Sequence, residues 1–208
     1  MKKKFLSLMM AAAVVATTSV SAFAASNNAT VSRDGEEVEV TITGSVNDQN
    51  NTPPEGTISV TVPTALAFTV NDKGEVEGSS LTITNNGTQK VDVFAYEFID
   101  KNSTNGIEVK KTVEGTNSRA TVALRLSGTQ GIANFTSSKN EATKGIYDGT
   151  LNPAQGDGVK LVTIGKVGDV KNTGELTLAG EAGKTNEGIT KAIKEEFTLR
   201  LKIKKSSS

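Results

Sequence analysis

The chain has 208 residues, with 23 Lys and Arg against 23 Asp and Glu, and it contains no Cys, His or Trp. Without Cys there is no disulfide. Without His or Cys there is no conventional zinc site, no Ser-His-Asp triad and no Cys-His pair. Balanced charge gives no electrostatic reason to expect nucleic acid as a partner.

The N-terminus reads as a secretory signal peptide over 1–24. Lys2, Lys3 and Lys4 lead an apolar stretch from Phe5 to about Val20, and Ala22-Phe23-Ala24 puts small residues where a signal peptidase reads. The mature chain then starts at Ala25. It loses three lysines and no acid, and so is mildly acidic. No second apolar run approaches the roughly 18 residues that span a bilayer, so no membrane span is expected after signal removal. Lys204 to Ser208 carries no sorting motif or hydrophobic anchor. The expected location is outside the cell, either secreted or held at the surface by other molecules.

Period-2 alternation dominates the mature chain. The first strand covers 37–43, with Val38, Val40 and Ile42 on one face and Glu37, Glu39, Thr41 and Thr43 on the other. A Pro-containing linker, 47–56, separates it from the rest, so that 25–56 forms an N-terminal segment and 57–208 the main domain. Ile58, Val60 and Val62 alternate up to Pro63. Leu66, Phe68 and Val70 alternate up to a turn at Asn71-Asp72-Lys73-Gly74. Leu81 and Ile83 lead into Asn85-Asn86-Gly87, another turn. Val91 to Ile99 is apolar on both faces and reads as a central strand buried from two sides. Ile107, Val109 and Val113 mark a weaker strand, and Ala120, Val122, Leu124 and Leu126 a clean one. Val159 to Ile164, then Leu176 with Leu178, then Phe197, Leu199, Leu201 and Ile203 complete the set. Ile189, Ala192 and Ile193 at helical spacing after Asn186 allow at most one short helix near 187–195. The expectation is all-β: an Ig-like or jelly-roll sandwich of roughly ten short strands.

Chemistry is sparse. Glu36-Glu37 and Glu195-Glu196 are adjacent pairs, and neighbours on a strand point to opposite faces, so they read as solvated strand ends. Aromatics are only 4% of the chain, and several lie in the Val91–Ile99 run, which argues against an aromatic-lined glycosidase or lectin cleft. The Asp- and Asn-rich turns at 46–51, 71–74 and 148–158 match no calcium-loop pattern and read as turn chemistry. No catalytic residue, cofactor or metal ligand is expected, and the chain reads as non-enzymatic. A Lys–Asn or Lys–Asp isopeptide crosslink is a chemically reasonable substitute for disulfides.

Ile58–Val70 (ISVTVPTALAFTV) and Leu81–Val93 (LTITNNGTQKVDV) resemble segments of exported surface proteins of Gram-positive bacteria. One group is the WxL-type cell-wall proteins, whose Trp motif is missing here, with Phe197-Thr198-Leu199 near its expected place. The other is the TasA/camelysin type of biofilm fibre subunit. The resemblance implies a structural role in a surface fibre, biofilm matrix or cell-wall-associated layer. Its partners would be further copies of the chain or other surface proteins. The expected assembly element is the strand carrying Val38, Val40 and Ile42, added to a neighbouring subunit's sheet. The alternative is a monomeric module that binds cell-wall polymer or glycan.

Overall fold

The computed structural model describes residues 28–31, 34–35, 37–40, 58–71, 73–100, 106–114, 118–137, 144–185 and 193–207. The expected signal peptide, Ile42, the 47–56 linker and most of the expected helix lie outside these residues. Residues 193–196 have no regular structure, and no helix occurs among the described residues.

Two sheets form a β-sandwich. The strands are β1 (Asn28–Val31), β2 (Glu37–Val40), β3 (Val60–Pro63), β4 (Phe68–Val70), β5 (Glu75–Gly78), β6 (Ser80–Asn85) and β7 (Val91–Asp100). They continue with β8 (Glu108–Val109), β9 (Thr121–Ser127), β10 (Ile132–Phe135), β11 (Ile146–Tyr147), β12 (Val159–Ile164), β13 (Thr173–Ala182) and β14 (Phe197–Lys205). The larger, 10-stranded sheet runs β1-β3-β6-β13-β9-β10-β11, with β5 on β13, β4 on β5 and β8 on β9. The 4-stranded sheet runs β12-β7-β14-β2. Among the described strands every pairing is antiparallel except that of β8 with β9, which is parallel.

Alternation sets the core. Val60, Val62, Leu81, Ile83, Val122, Leu124, Leu126, Leu176 and Leu178 point inward from the larger sheet, while Thr82, Glu175 and Thr177 stay exposed. Leu199, Leu201 and Ile203 answer from β14.

The Val91–Asp100 strand corrects the two-sided expectation. Val91, Val93 and Ala95 are buried in phase, and then Phe98 is buried out of phase. Arg200 pairs with Glu97 and Leu201 with Ala95, so Tyr96 is an extra residue in β7. This bulge returns Phe98 to the same inner face and leaves Phe94 and Tyr96 half-exposed on the outer one. A second bulge at Leu161 in β12 does the same for Val162 and Ile164.

Four phenylalanines then cross the core. Phe135 lies parallel to Phe98 at 4.8 Å, Phe98 stacks on Phe197 at 5.4 Å, and Phe197 meets Phe68 at 6.3 Å. Phe135 and Phe68 belong to the larger sheet and the other two to the smaller, so the chain of rings joins both layers.

The expected turns are built as their residues require. Asn71 Oδ1 accepts the amides of Lys73 at 2.9 Å and Glu75 at 3.0 Å, while Gly74 takes the left-handed backbone that closes the turn. Asn85 is wholly buried. Its Nδ2 donates to Gln89 O at 2.7 Å and Gly165 O at 2.8 Å, and its Oδ1 accepts from Gly87 N at 2.9 Å.

Candidate functional site

The N-terminal segment supplies one edge strand to each sheet. The first, β1, borders the larger sheet and pairs with β3, Ala29 opposite Val62 and Val31 opposite Val60. The next, β2, borders the smaller sheet and pairs with β14, Val38 opposite Leu201 and Val40 opposite Leu199. Of the three residues expected to drive assembly, Val38 and Val40 therefore sit at register positions facing the C-terminal strand, and Ile42 lies outside the described residues. The same register sets Glu37 opposite Lys202 and Glu39 opposite Arg200, residues of opposite charge. Between the strands, Gly35 N donates to Ile203 O at 3.1 Å, and Lys205 N donates to Asp34 Oδ1 at 2.7 Å.

The other edge strand, β1, is not visible as a pattern in the sequence. Asn28-Ala29-Thr30-Val31 holds only two apolar residues, too few to show a period, and it is a strand because β3 offers a paired edge.

The strands bordered by this segment are core strands. Val60 and Val62 of β3 and Leu201 and Ile203 of β14 are fully buried. Thus β1 and β2 adjoin two apolar, hydrogen-bonding edges on the same side of the sandwich.

The outer face of the small sheet is charged around an aromatic pair. Arg200 binds Glu97 at 2.7 Å, and Asp157 binds Lys202 at 3.2 Å and Lys204 at 2.6 Å. The Lys204 hydrogen bond lowers the Asp157 pKa and raises that of Lys204. Tyr96 lies beneath two ammonium groups, Lys144 at 3.5 Å and Lys202 at 4.8 Å from the ring centre.

At the end of β7, Glu195 packs on Gly106, accepts from Ile107 N and shares a hydrogen bond with Asp100. Burial raises its pKa and the neighbouring Asp100 carboxyl adds to the rise, against the lowering effect of the Ile107 amide. A raised carboxyl pKa stabilises the fold below the unfolded value, and that stability is lost as pH rises through the folded value. Glu195→Gln is expected to be more stable than the parent at pH 7 and equal to it near pH 4, read by urea midpoints. A variant no more stable at pH 7 would show that the Asp100–Glu195 pair carries no penalty.

A groove of about 460 Å³ runs beside Gln130, Ile132, Asp148, Pro153, Gln155 and Lys160. Its Asp148 is committed to its own turn: Oδ1 accepts the Thr150 hydroxyl at 2.6 Å and the amides of Thr150 and Asn152 at 2.9 and 3.2 Å. The Thr150 hydroxyl holds its pKa low. No lysine is fully buried among the described residues. Nor is there, among them, a cluster of three Asp or Glu that would hold a metal, or a helix long and apolar enough to cross a membrane.

Comparison with protein-family models, curated proteins and solved structures finds no match to this chain.

Proposed function

We propose that the protein is an exported structural subunit of an extracellular fibre, biofilm matrix or wall-associated layer, assembled by exchange of its N-terminal strands. The observation that carries this reading is the placement of β1 and β2. They are consecutive in sequence, each is the outermost strand of a different sheet, and both lie on one side of the sandwich. Withdrawn together, they leave the backbone edges of β3 and β14 unpaired above fully buried Val60, Val62, Leu201 and Ile203. An identical segment from another copy satisfies every pairing that was lost, because it makes the same register. The 47–56 stretch, with Pro53 and Pro54, has the composition of a stiff spacer between donor and body. Each copy donates on one side and accepts on another body, a head-to-tail contact that propagates.

The test is negative-stain microscopy of the chain from Ala25 over a range of concentrations, beside Val40→Asp. Filaments are expected from the parent. The variant, with a carboxylate set opposite Leu199, is expected to give none while keeping its β-type circular dichroism. Filaments from Val40→Asp at parental concentration would overturn strand exchange.

A second reading, a monomeric module for wall polymer or glycan, draws on the half-exposed Phe94 and Tyr96 set among Lys144, Arg200, Lys202 and Lys204. It predicts a concentration-independent monomer that binds cell walls saturably and loses binding on Tyr96→Ala.

A further inference from the structure

Three side chains far apart in sequence meet on the side of the sandwich away from β1 and β2. They are Asp92 on β7, Thr163 on β12 and Gln130 in the turn between β9 and β10. Thr163 Oγ1 donates to Asp92 Oδ1 at 2.6 Å and lies 2.9 Å from Gln130 Oε1. Lys160 Nζ stands 2.9 Å from the same Asp92 oxygen. Asp92 is only 7% exposed. Burial by itself raises its pKa, but hydrogen bonds from Thr163, Lys160 and Ser206 outweigh that and keep it ionised.

The backbone fixes this meeting. Gln130 N donates to Leu161 O at 2.9 Å, and Gly128 N closes the turn onto Gly131 O at 2.9 Å. A Cβ on Gly131 would collide with Lys160 O, so only glycine lets the turn approach β12 this closely. Gln130 is held against the edge of the small sheet, and Thr163 is held by its strand.

A hydroxyl has one proton. Given to Asp92, it leaves the Thr163 lone pairs directed at the Gln130 carboxamide. A hydroxyl with a carboxylate in hydrogen-bond reach, an acyl carbon beside it and a nearby cation is the arrangement of acyl transfer. A carbonyl bond is about 1.23 Å long, so Gln130 Cδ lies within about 4.1 Å of Thr163 Oγ1. A turn about the Gln130 Cβ–Cγ bond, which carries Cδ with it, is what an approach to the roughly 3–3.5 Å of an attacking pair requires.

We propose that Thr163 and Gln130 join in an ester that crosslinks the two sheets. As Oγ1 adds to Cδ, the hydroxyl proton passes to Asp92, the carboxylate that Lys160 holds at 2.9 Å. Collapse of the adduct breaks the Cδ–Nε2 bond, and Nε2 takes the proton from Asp92 and leaves as ammonia. One C–O bond forms, one C–N bond breaks, no electrons are transferred and no outside reagent is consumed.

The product is a staple in a chain with no cysteine. It fastens β12, the outermost strand of the small sheet opposite β2, to the larger sheet. One side of the sandwich becomes covalent while the side bearing the N-terminal strands stays free to open.

The test is the intact mass of the purified chain under denaturing conditions, which reads the bond whether or not a variant folds. Loss of ammonia leaves the chain about 17 Da lighter than calculated from its N-terminus. Trypsin is expected to release 126–139 joined to 161–166, and hydroxylamine to separate them, since it cleaves esters and spares amides. Thr163→Val and Asp92→Asn are expected at the full calculated mass, and Thr163→Ser at the lighter one. An unmodified parent mass overturns the proposal. A hydroxylamine-resistant loss of about 17 Da overturns it in favour of a Lys160–Gln130 amide, and a loss of about 18 Da in favour of a Lys160–Asp92 amide.

Discussion

Phe135→Ala is expected to lower the unfolding free energy by about 3–5 kcal/mol, the range for deleting a fully buried aromatic ring. Phe135 is 1% exposed, and its ring lies 1° from parallel to Phe98. Removing it opens a cavity between the sheets and breaks the chain of rings at its β10 end. Phe98 then loses one of its two stacking partners and keeps only Phe197. The surrounding Ile146 and Ala133 belong to a short strand pair and cannot collapse into the space without pulling β10 and β11 off β9. Urea unfolding is the measurement, with an unchanged slope showing that the loss lies in the native state. Phe68→Ala, at the half-exposed end of the same chain of rings, is expected to cost about half as much. Equal losses at the two positions would mean that stability does not follow burial along the stack.

The next largest effect is expected at Asn85. Its side chain serves two carbonyls and one amide, at Gln89, Gly165 and Gly87, inside a site with no exposed surface. Asn85→Leu keeps the volume but strands all three backbone groups, at a cost of about 3 kcal/mol. Asn85→Asp is expected to be worse at neutral pH. It exchanges a donating NH2 for a carboxylate oxygen facing Gln89 O and Gly165 O, so that repulsion adds to the lost bonds. Part of that excess should return below the unfolded aspartate pKa, where the carboxyl takes up a proton and regains a donor. Urea midpoints for the two variants at pH 7 and pH 4 read the difference. If Asn85→Asp matched Asn85→Leu at both values, the two carbonyls would be finding other donors.

Strands with several apolar residues in strict alternation were legible in the sequence. Val60 with Val62, Leu81 with Ile83, Val122 through Leu126 and Leu199 through Ile203 all face the core, and the two Asn turns fall where Gly and Asn put them. Val91 to Asp100 was legible as a strand but not in its facing. The residue that shifts its phase, Tyr96, is extra only with respect to β14, and a partner's register is not written in a local pattern. Asn28–Val31, Ile132–Phe135 and Ile146–Tyr147 are too short to show a period and are ordered by their neighbours. Val113, expected in a strand, lies beyond Glu108–Val109, where the parallel pairing with β9 ends. The strand bearing Val38 and Val40 was legible, whereas its companion β1 was not. The Asp92, Thr163 and Gln130 cluster was invisible, because 71 residues separate Asp92 from Thr163 and 33 separate Thr163 from Gln130. Only the arrangement of strands brings them together.

The position of β14 sets the order in which the molecule can be made. It lies between β7 and β2, so the small sheet joins residues near position 40, near 95 and near 200. While a ribosome is still adding residue 195, β2 has no partner and β7 has only β12. The inner residues Val91, Val93 and Ala95 lack the Leu201 and Ile203 that face them across the ladder. Pairings this distant in sequence are slow to form, because a long loop must close before any contact stabilises it. The small sheet therefore cannot close until residues 197–205 arrive, although every strand of the larger sheet lies before residue 183.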